Sequence, residues 1–189
     1  MIRKCRWICI LTCICMWMGL ARAQTYNFRN YSVKEGLPFI HVFEIYQDHL
    51  GYLWTGGYGG MSRFNGTEFR NFSEKDGLSS HWVTCITEDA KGDLWIGTVD
   101  GLNRSVYSTY ANEPLNLTSY NEKDGLPSGN ITALVCDDRG RLWVGTSRGM
   151  GVWRDSIFVS LPSPLGNSHI HRILQGPGHT LWVSSSAGL

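Results

Sequence analysis

The chain has 189 residues, of which 42% are hydrophobic and 17% are charged, and its formal net charge is +1 at pH 7. Four of its 17 basic residues lie within the first 23 positions, so the remainder carries 13 basic and 16 acidic side chains, a net charge of −3. A mildly acidic chain with well-mixed charges lacks the basic stripe that phosphate backbones require, so we expect no nucleic-acid partner.

The first 23 residues have the pattern of a secretory signal peptide. Basic residues at positions 3, 4 and 6 precede an apolar run from Trp7 to Leu20, and Ala21-Arg22-Ala23 offers a small-residue cleavage site. The apolar run is shorter than the roughly twenty residues that a membrane-spanning helix needs, although an uncleaved anchor remains the alternative. We therefore expect residues 1–23 to be removed and the protein to be exported to the periplasm.

The rest of the chain repeats a phrase of about forty residues. Each copy contains a leucine followed by a tryptophan, and the four pairs are Leu53-Trp54, Leu94-Trp95, Leu142-Trp143 and Leu181-Trp182, at intervals of 41, 48 and 39 residues. A period near forty that is rich in aromatic residues and glycine is typical of β-propeller blades. We expect the tryptophans to lie in the core.

Each copy begins with a predicted inner strand and a turn. The inner strands are expected over residues 42–46, 83–87, 131–135 and 170–174, with apolar residues at their first and fourth positions. We expect these two positions to lie on opposite faces that are both buried between neighbouring blades. In the first turn, Asp48 can accept backbone hydrogen bonds and Gly51 can take a positive φ. In the fourth copy Gly176 and His179 occupy these places, so that turn must bend differently.

Three further strands complete each repeat. The tryptophan lies on the second strand, a glycine six residues later precedes the third, and Asn65-Gly66 turns the first copy into its outer strand. Four antiparallel strands per repeat make one blade of an all-β propeller. The links between blades also repeat, and we expect their leucines to fill the gaps between blades: Leu37, Leu78 and Leu126.

The repeats divide the chain into blades. The ranges are a closing outer strand with its linker at 24–37, blade 1 at 38–78, blade 2 at 79–126, blade 3 at 127–168 and a partial blade 4 at 169–189. The closing strand is expected because Phe28-Arg29-Asn30-Tyr31 nearly duplicates the outer strand Phe69-Arg70-Asn71-Phe72. Leu189 falls where a third strand should begin, so we expect a truncated propeller of about three and a half blades.

Two cysteines, Cys85 and Cys136, follow the signal peptide. They could pair in an oxidising compartment, but they fall at different steps of the repeat. We favour two buried free thiols.

With Lys-Asp-Gly-Leu links and the phrase Asp-x-x-Gly-x-Leu-Trp-x-Gly-Thr, the chain resembles the two-component regulator propeller repeat. The match is specific over Asp89–Leu102 and Asp137–Met150. The resemblance implies two successive seven-bladed propellers in a periplasmic sensor, followed by a β-sandwich, a membrane span and a histidine kinase. Such a sensor is similar to the hybrid two-component systems with which Bacteroidetes detect polysaccharide breakdown products. The kinase and the membrane span would belong to a longer parent protein, anchored in the inner membrane.

The residues that vary between copies are the candidates for ligand binding. They precede the inner strands or lie in the loops between second and third strands: His41, Tyr58, Trp82, Asp100, Asn130, Arg148 and His169. Aromatic rings with amide, acidic and guanidinium neighbours suit a carbohydrate fragment, whose ring face stacks while its hydroxyls are hydrogen-bonded. The alternative is that the aromatic residues only pack between blades.

The sequence is compatible with three hypotheses about function. The first is a sensor of an oligosaccharide, and the second is a structural or protein-binding propeller that pairs with a neighbouring propeller or a sensor dimer partner. The third is a glycosidase or lyase, which we disfavour because nearly all acids lie at repeated turn or link positions and only Asp100 does not. We expect no catalytic residue, no cofactor and no metal, since His169 and His171 lack a third ligand at suitable spacing.

Overall fold

The structure is a computed structural model that describes residues 27–106, 115–162 and 165–189. The predicted signal peptide, residues 1–23, lies outside these ranges. The chain divides into two compact units, residues 1–30 and 31–189. In the first unit, residues 27–30 form no strand, and the closing role expected for residues 28–31 stays a prediction. Within the described ranges there is no helix long and apolar enough to cross a membrane.

The second unit consists of antiparallel sheets whose strands follow one another in chain order. The first sheet contains β1 (Val42–Gln47), β2 (Leu53–Gly57), β3 (Gly60–Phe64) and β4 (Phe69–Phe72). The second contains β5 (Val83–Glu88), β6 (Leu94–Thr98), β7 (Gly101–Ser105) and β8 (Leu117–Tyr120). The third contains β9 (Ile131–Cys136), β10 (Leu142–Thr146), β11 (Gly149–Arg154) and β12 (Ile157–Ser160). A two-stranded sheet follows, with β13 (Ile170–Gln175) and β14 (Leu181–Ser185). The fold is therefore the expected all-β propeller, with about three and a half blades.

In the part of the chain that the structure describes, five short 3-10 segments lie outside the strands. Three are in the repeated links, at Val33–Glu35, Glu74–Asp76 and Glu122–Asp124, and the others are Leu165–Asn167 and Pro177–His179. Each of the three link segments has a capping box at its start and a left-handed glycine at its end. The glycine reverses the chain from an outer strand toward the next inner strand, because it tolerates a positive φ.

The turn after each inner strand is closed by its aspartate. In blade 1 the Oδ1 atom of Asp48 accepts hydrogen bonds from the backbone N–H groups of Leu50 and Tyr52, at 3.0 and 2.9 Å. The other oxygen, Oδ2, accepts a 2.8 Å bond from the indole N–H of Trp54. The amide bonds were expected, whereas the bond to the tryptophan was not, and it recurs in blades 2 and 3. In the fourth copy Gly178 and His179 both take positive φ, 67° and 62°, so this turn bends differently, as predicted.

The prediction that the first and fourth residues of an inner strand face opposite ways is wrong. The register of every inner strand shifts after its first residue, as between Val83 and Cys85 in β5. A bulge inserts one extra residue and so reverses the alternation of faces. Val83 and Ile86 consequently pack together against blade 1, while Cys85 packs against blade 3.

Neighbouring blades are held together at a repeated point of contact. An added Cβ on Gly97 of β6 would lie 2.7 Å from Cγ2 of Ile131, the first residue of the next inner strand. Gly56 and Gly145 have the same relation to Val83 and Ile170. Glycine is required because the side chain that opens each blade presses directly on the backbone of the blade before it.

A hydroxyl strengthens the same junction. The Oγ1 atom of Thr84, at the bulge of β5, donates within its own blade to the Gly97 carbonyl and across to that of Ile131, at 3.0 and 2.8 Å. Thr132 donates likewise to the Ile170 carbonyl at 2.6 Å. The three link leucines, Leu37, Leu78 and Leu126, are buried as expected.

Burial of the repeated tryptophans depends on the blade that follows. Trp54 and Trp95 are fully buried, but Trp143 is only partly buried and Trp182 is 55% exposed. Trp182 lies in the two-stranded sheet of β13 and β14, and in the described residues the expectation of a core position is thus wrong for it. Among the described residues Cys85 is a buried free thiol, but Cys136 is only half-buried, since its strand ends at the turn.

Candidate functional site

The segments that precede the inner strands meet the loops between second and third strands at one end of the blades, which we call the loop face. The backbone N–H of Val99 donates to the carbonyl of Trp82 at 3.2 Å, and that of Ser147 donates to Asn130 at 3.0 Å. His169 accepts the corresponding bond in blade 4. All seven candidate residues derive from these segments, so they share the loop face.

Two of the candidates come into direct contact there. The rings of Tyr58 and Trp82 have centroids 4.4 Å apart, and the two residues form an isolated β-bridge between blades 1 and 2. The ring of Phe43 lies 4.9 Å from Tyr58 and 6.1 Å from Trp82. Phe43 is 48% exposed and Tyr58 is 43% exposed. We call these three residues the aromatic platform.

Phe43 was missed by the sequence prediction because it lies inside a strand. The repeat nevertheless contains the signal, since the equivalent bulge position holds Thr84 in β5 and Thr132 in β9. A phenylalanine there cannot donate the hydroxyl bond that joins neighbouring blades, and its ring contacts the platform instead.

Among the described residues, the other candidates share no hydrogen bond, ion pair or ring contact with the platform. His41 and Asp100 are exposed, and Asn130 is half-buried. The guanidinium of Arg148 lies 3.8 Å from a carboxylate oxygen of Glu122, and both side chains are largely exposed. Backbone hydrogen bonds lower the pKa of Glu122, including one from the Gly129 amide, and Arg148 adds a smaller effect.

A second group of polar residues lines the channel wall formed by the neighbouring inner strands β1, β5, β9 and β13. The strands enclose an open depression of about 380 Å³, lined among others by Phe43, Glu44, His171 and Arg172. Burial raises the pKa of Glu44, and the positive charge of Arg172 partly opposes that shift. The His171 ring lies 4.7 Å from that of His169. Phe43 thus belongs both to this depression and to the platform.

The opposite end of the blades, which carries the aspartate turns, has a larger depression of about 620 Å³. Its carboxylates are already engaged: Glu88 pairs with the His49 ring, and Asp138 lies 2.5 Å from the ring of His179. Asp89 and Asp137 accept hydrogen bonds from the indole N–H groups of Trp95 and Trp143. No two of these acids are left to act together as glycosidase chemistry demands. Across the described ranges, no group of three or more metal-binding side chains converges.

Two of the repeats match a known family model. Residues 77–100 and 125–148 match the family described as the two component regulator propeller. No curated protein sequence matches the chain.

Solved structures share the fold. The extracellular domain of a protein assigned as a hybrid two-component system of B. thetaiotaomicron superposes with a TM-score of 0.74 at 22% identity, over 88% of this chain and 23% of that one. The extracellular domain of a protein assigned as a one-component system of the same organism superposes with a TM-score of 0.70 at 20% identity, over 87% of this chain and 23% of that one. Virginiamycin B lyase of Staphylococcus aureus superposes with a TM-score of 0.59 at 17% identity, over 75% of this chain and 48% of that one. The chain therefore spans about a quarter of the length of the first two, and at these identities the likeness establishes the fold alone.

Proposed function

We propose that this chain, two of whose repeats match the two-component regulator propeller, is the extracytoplasmic ligand-binding part of a signal-transduction protein and recognises a carbohydrate fragment. The observation that carries the proposal is the aromatic platform at the loop face. Exposed rings offer the flat apolar surface on which a sugar ring stacks, at a place where the repeat itself does not demand aromatic residues. The signal peptide pattern and the family support a periplasmic location.

The binding part acts without catalysis in this proposal. The lyase that shares the fold does so at 17% identity, and the carboxylates around the turn-side depression are held in structural bonds. A protein-binding propeller is the second candidate, since an exposed aromatic surface also suits a protein partner.

Calorimetry of the full chain against a panel of neutral and acidic oligosaccharides tests the proposal. We expect one class to bind, and we expect Trp82→Ala and Tyr58→Ala each to weaken binding on the order of tenfold, because stacking of an aromatic pair is worth roughly 0.5–1.5 kcal/mol beyond buried area. Trp182→Ala is the matched control, since it removes an exposed tryptophan from the fourth blade. Absence of binding to every oligosaccharide would favour the protein-binding alternative.

The parent protein is a separate part of the proposal. We place the propeller in a longer, membrane-anchored histidine kinase, on the strength of its family. Reading the coding sequence beyond codon 189 decides this: a membrane span followed by kinase motifs supports it, whereas a stop codon after a few more blades contradicts it.

A further inference from the structure

Glu44 and Arg172 both line the depression along the channel wall. They occupy equivalent positions of the first and fourth inner strands, and the two middle strands carry the small residues Cys85 and Ala133 there. Neither charged side chain has a hydrogen bond or an ion pair with any residue in the described ranges. A half-buried carboxylate without a donor is unfavourable for folding, so the packing of the blades does not explain Glu44.

The neighbouring bulge position departs from the repeat in the same two strands. Thr84 and Thr132 use their hydroxyls to join adjacent blades, but the equivalent residues in β1 and β13 are Phe43 and His171. Both line the same depression as Glu44 and Arg172. The first and fourth blades therefore give up a structural hydroxyl where the channel could receive a ligand.

The two charged groups are chemically complementary to sugar hydroxyls. A carboxylate only accepts hydrogen bonds and a guanidinium only donates them, whereas each hydroxyl does both. Because the charges of Glu44 and Arg172 are opposite and sum to zero, this pair gives the depression no net charge that would favour an anionic ligand. Its volume of about 380 Å³ falls within the roughly 300–1,000 Å³ of small-molecule sites.

We propose that Glu44 and Arg172 bind hydroxyl groups of a neutral sugar unit that stacks on the aromatic platform through Phe43 and enters the channel depression. This inference rests on the proposed carbohydrate function and narrows it to uncharged saccharides. Glu44 accepts from the sugar hydroxyls and Arg172 donates to them, while Phe43 covers the apolar ring face.

The test uses calorimetry on the full chain with neutral disaccharides and trisaccharides and with the uronic-acid counterparts of the same linkages. Glu44→Gln and Arg172→Met should each weaken binding of a neutral saccharide by roughly ten- to a hundredfold, as the loss of a charge-assisted hydrogen bond predicts. The matched controls are Glu68→Gln and Arg139→Met, which change exposed residues of turns and should leave affinity within about twofold. Thermal unfolding of each variant confirms that it is folded.

The outcomes separate this inference from the function on which it rests. If a neutral saccharide binds equally well to Glu44→Gln and Arg172→Met, the carbohydrate function stands and the assignment of these two residues is wrong. Preferential binding of the uronic-acid counterparts would refute the inference that the ligand is an uncharged saccharide. If no saccharide binds the unaltered chain, both proposals fail.

Discussion

The bond between the turn aspartate and the buried tryptophan can be tested by Asp89→Asn. Oδ1 of Asp89 accepts from the backbone N–H groups of Lys91 and Asp93 at 2.8 and 3.1 Å, and Oδ2 accepts from the Trp95 indole at 2.9 Å. An asparagine can keep the two backbone bonds through its oxygen, but its NH₂ group then faces the indole N–H, so two donors meet. Trp95 has no exposed surface, and water cannot supply the missing acceptor.

The expected loss is about 2–4 kcal/mol of unfolding free energy. An unsatisfied buried donor costs roughly 1–3 kcal/mol, and weakening the bonds to a charged acceptor adds to that. Urea unfolding followed by near-ultraviolet circular dichroism measures the change. Combining Asp89→Asn with Trp95→Phe in a double-mutant cycle isolates the indole bond, for which we expect about 1–2 kcal/mol of coupling.

Asp100→Asn is the control, because that side chain is exposed at the loop face and its replacement should change stability by less than about 0.5 kcal/mol. If Asp89→Asn lowers the unfolding free energy no more than the control does, or if the double-mutant cycle is additive, the aspartate stabilises the turn only through the backbone amides. The recurrence of the aspartate–tryptophan pair in three blades would then need another explanation.

Gly97→Ala should cost about 1–3 kcal/mol in urea unfolding, because its Cβ would lie 2.5 Å from Cys85 Sγ, whereas Gly129→Ala meets nothing closer than 3.5 Å and should be nearly neutral; equal losses would contradict this contact. Burial raises the pKa of Cys85 to about 12, so at pH 8 iodoacetamide should modify Cys136 well before Cys85, as peptide mass mapping would reveal, and the reverse order would refute the burial pattern. Phe43→Thr restores the hydroxyl at the bulge, so stability should stay within about 1 kcal/mol while calorimetric affinity for a neutral saccharide falls on the order of tenfold; unchanged affinity would remove Phe43 from the site.

The strands could be predicted from the sequence because each turn carries its own chemical signal. Asp48 and Gly51 mark the first turn and Asn65-Gly66 the third, and such residues act locally, through side-chain bonds to the backbone and through positive φ. The bulge in each inner strand has no such residue. It lies at the contact between blades, where the side chain of Val83 presses on Gly56, and the pattern of apolar residues within one strand does not reveal it.

Burial was predictable only where the repeat has a neighbour. Trp95 and Trp182 occupy the same step of the phrase, yet one is fully buried and the other is 55% exposed. A propeller blade covers its faces with the blades on either side, so the identity of a residue fixes what it packs against only when that blade is present. The candidate site shows the same limit, since Tyr58 and Trp82 meet across two blades and no pattern within one copy brings them together.

The proposed site lies at positions where the repeat lacks a structural hydrogen bond that its other copies keep. At the bulge, two of the four copies keep a threonine that joins neighbouring blades, and the other two carry Phe43 and His171, which lack that hydroxyl. Variation at an exposed loop has little energetic consequence and says little about function. Variation at a junction costs stability, so it is retained where the new side chain does something else. Phe43 meets this criterion because its ring contacts Tyr58 and also lines the depression of Glu44, which is why we propose that the platform and the depression form one site.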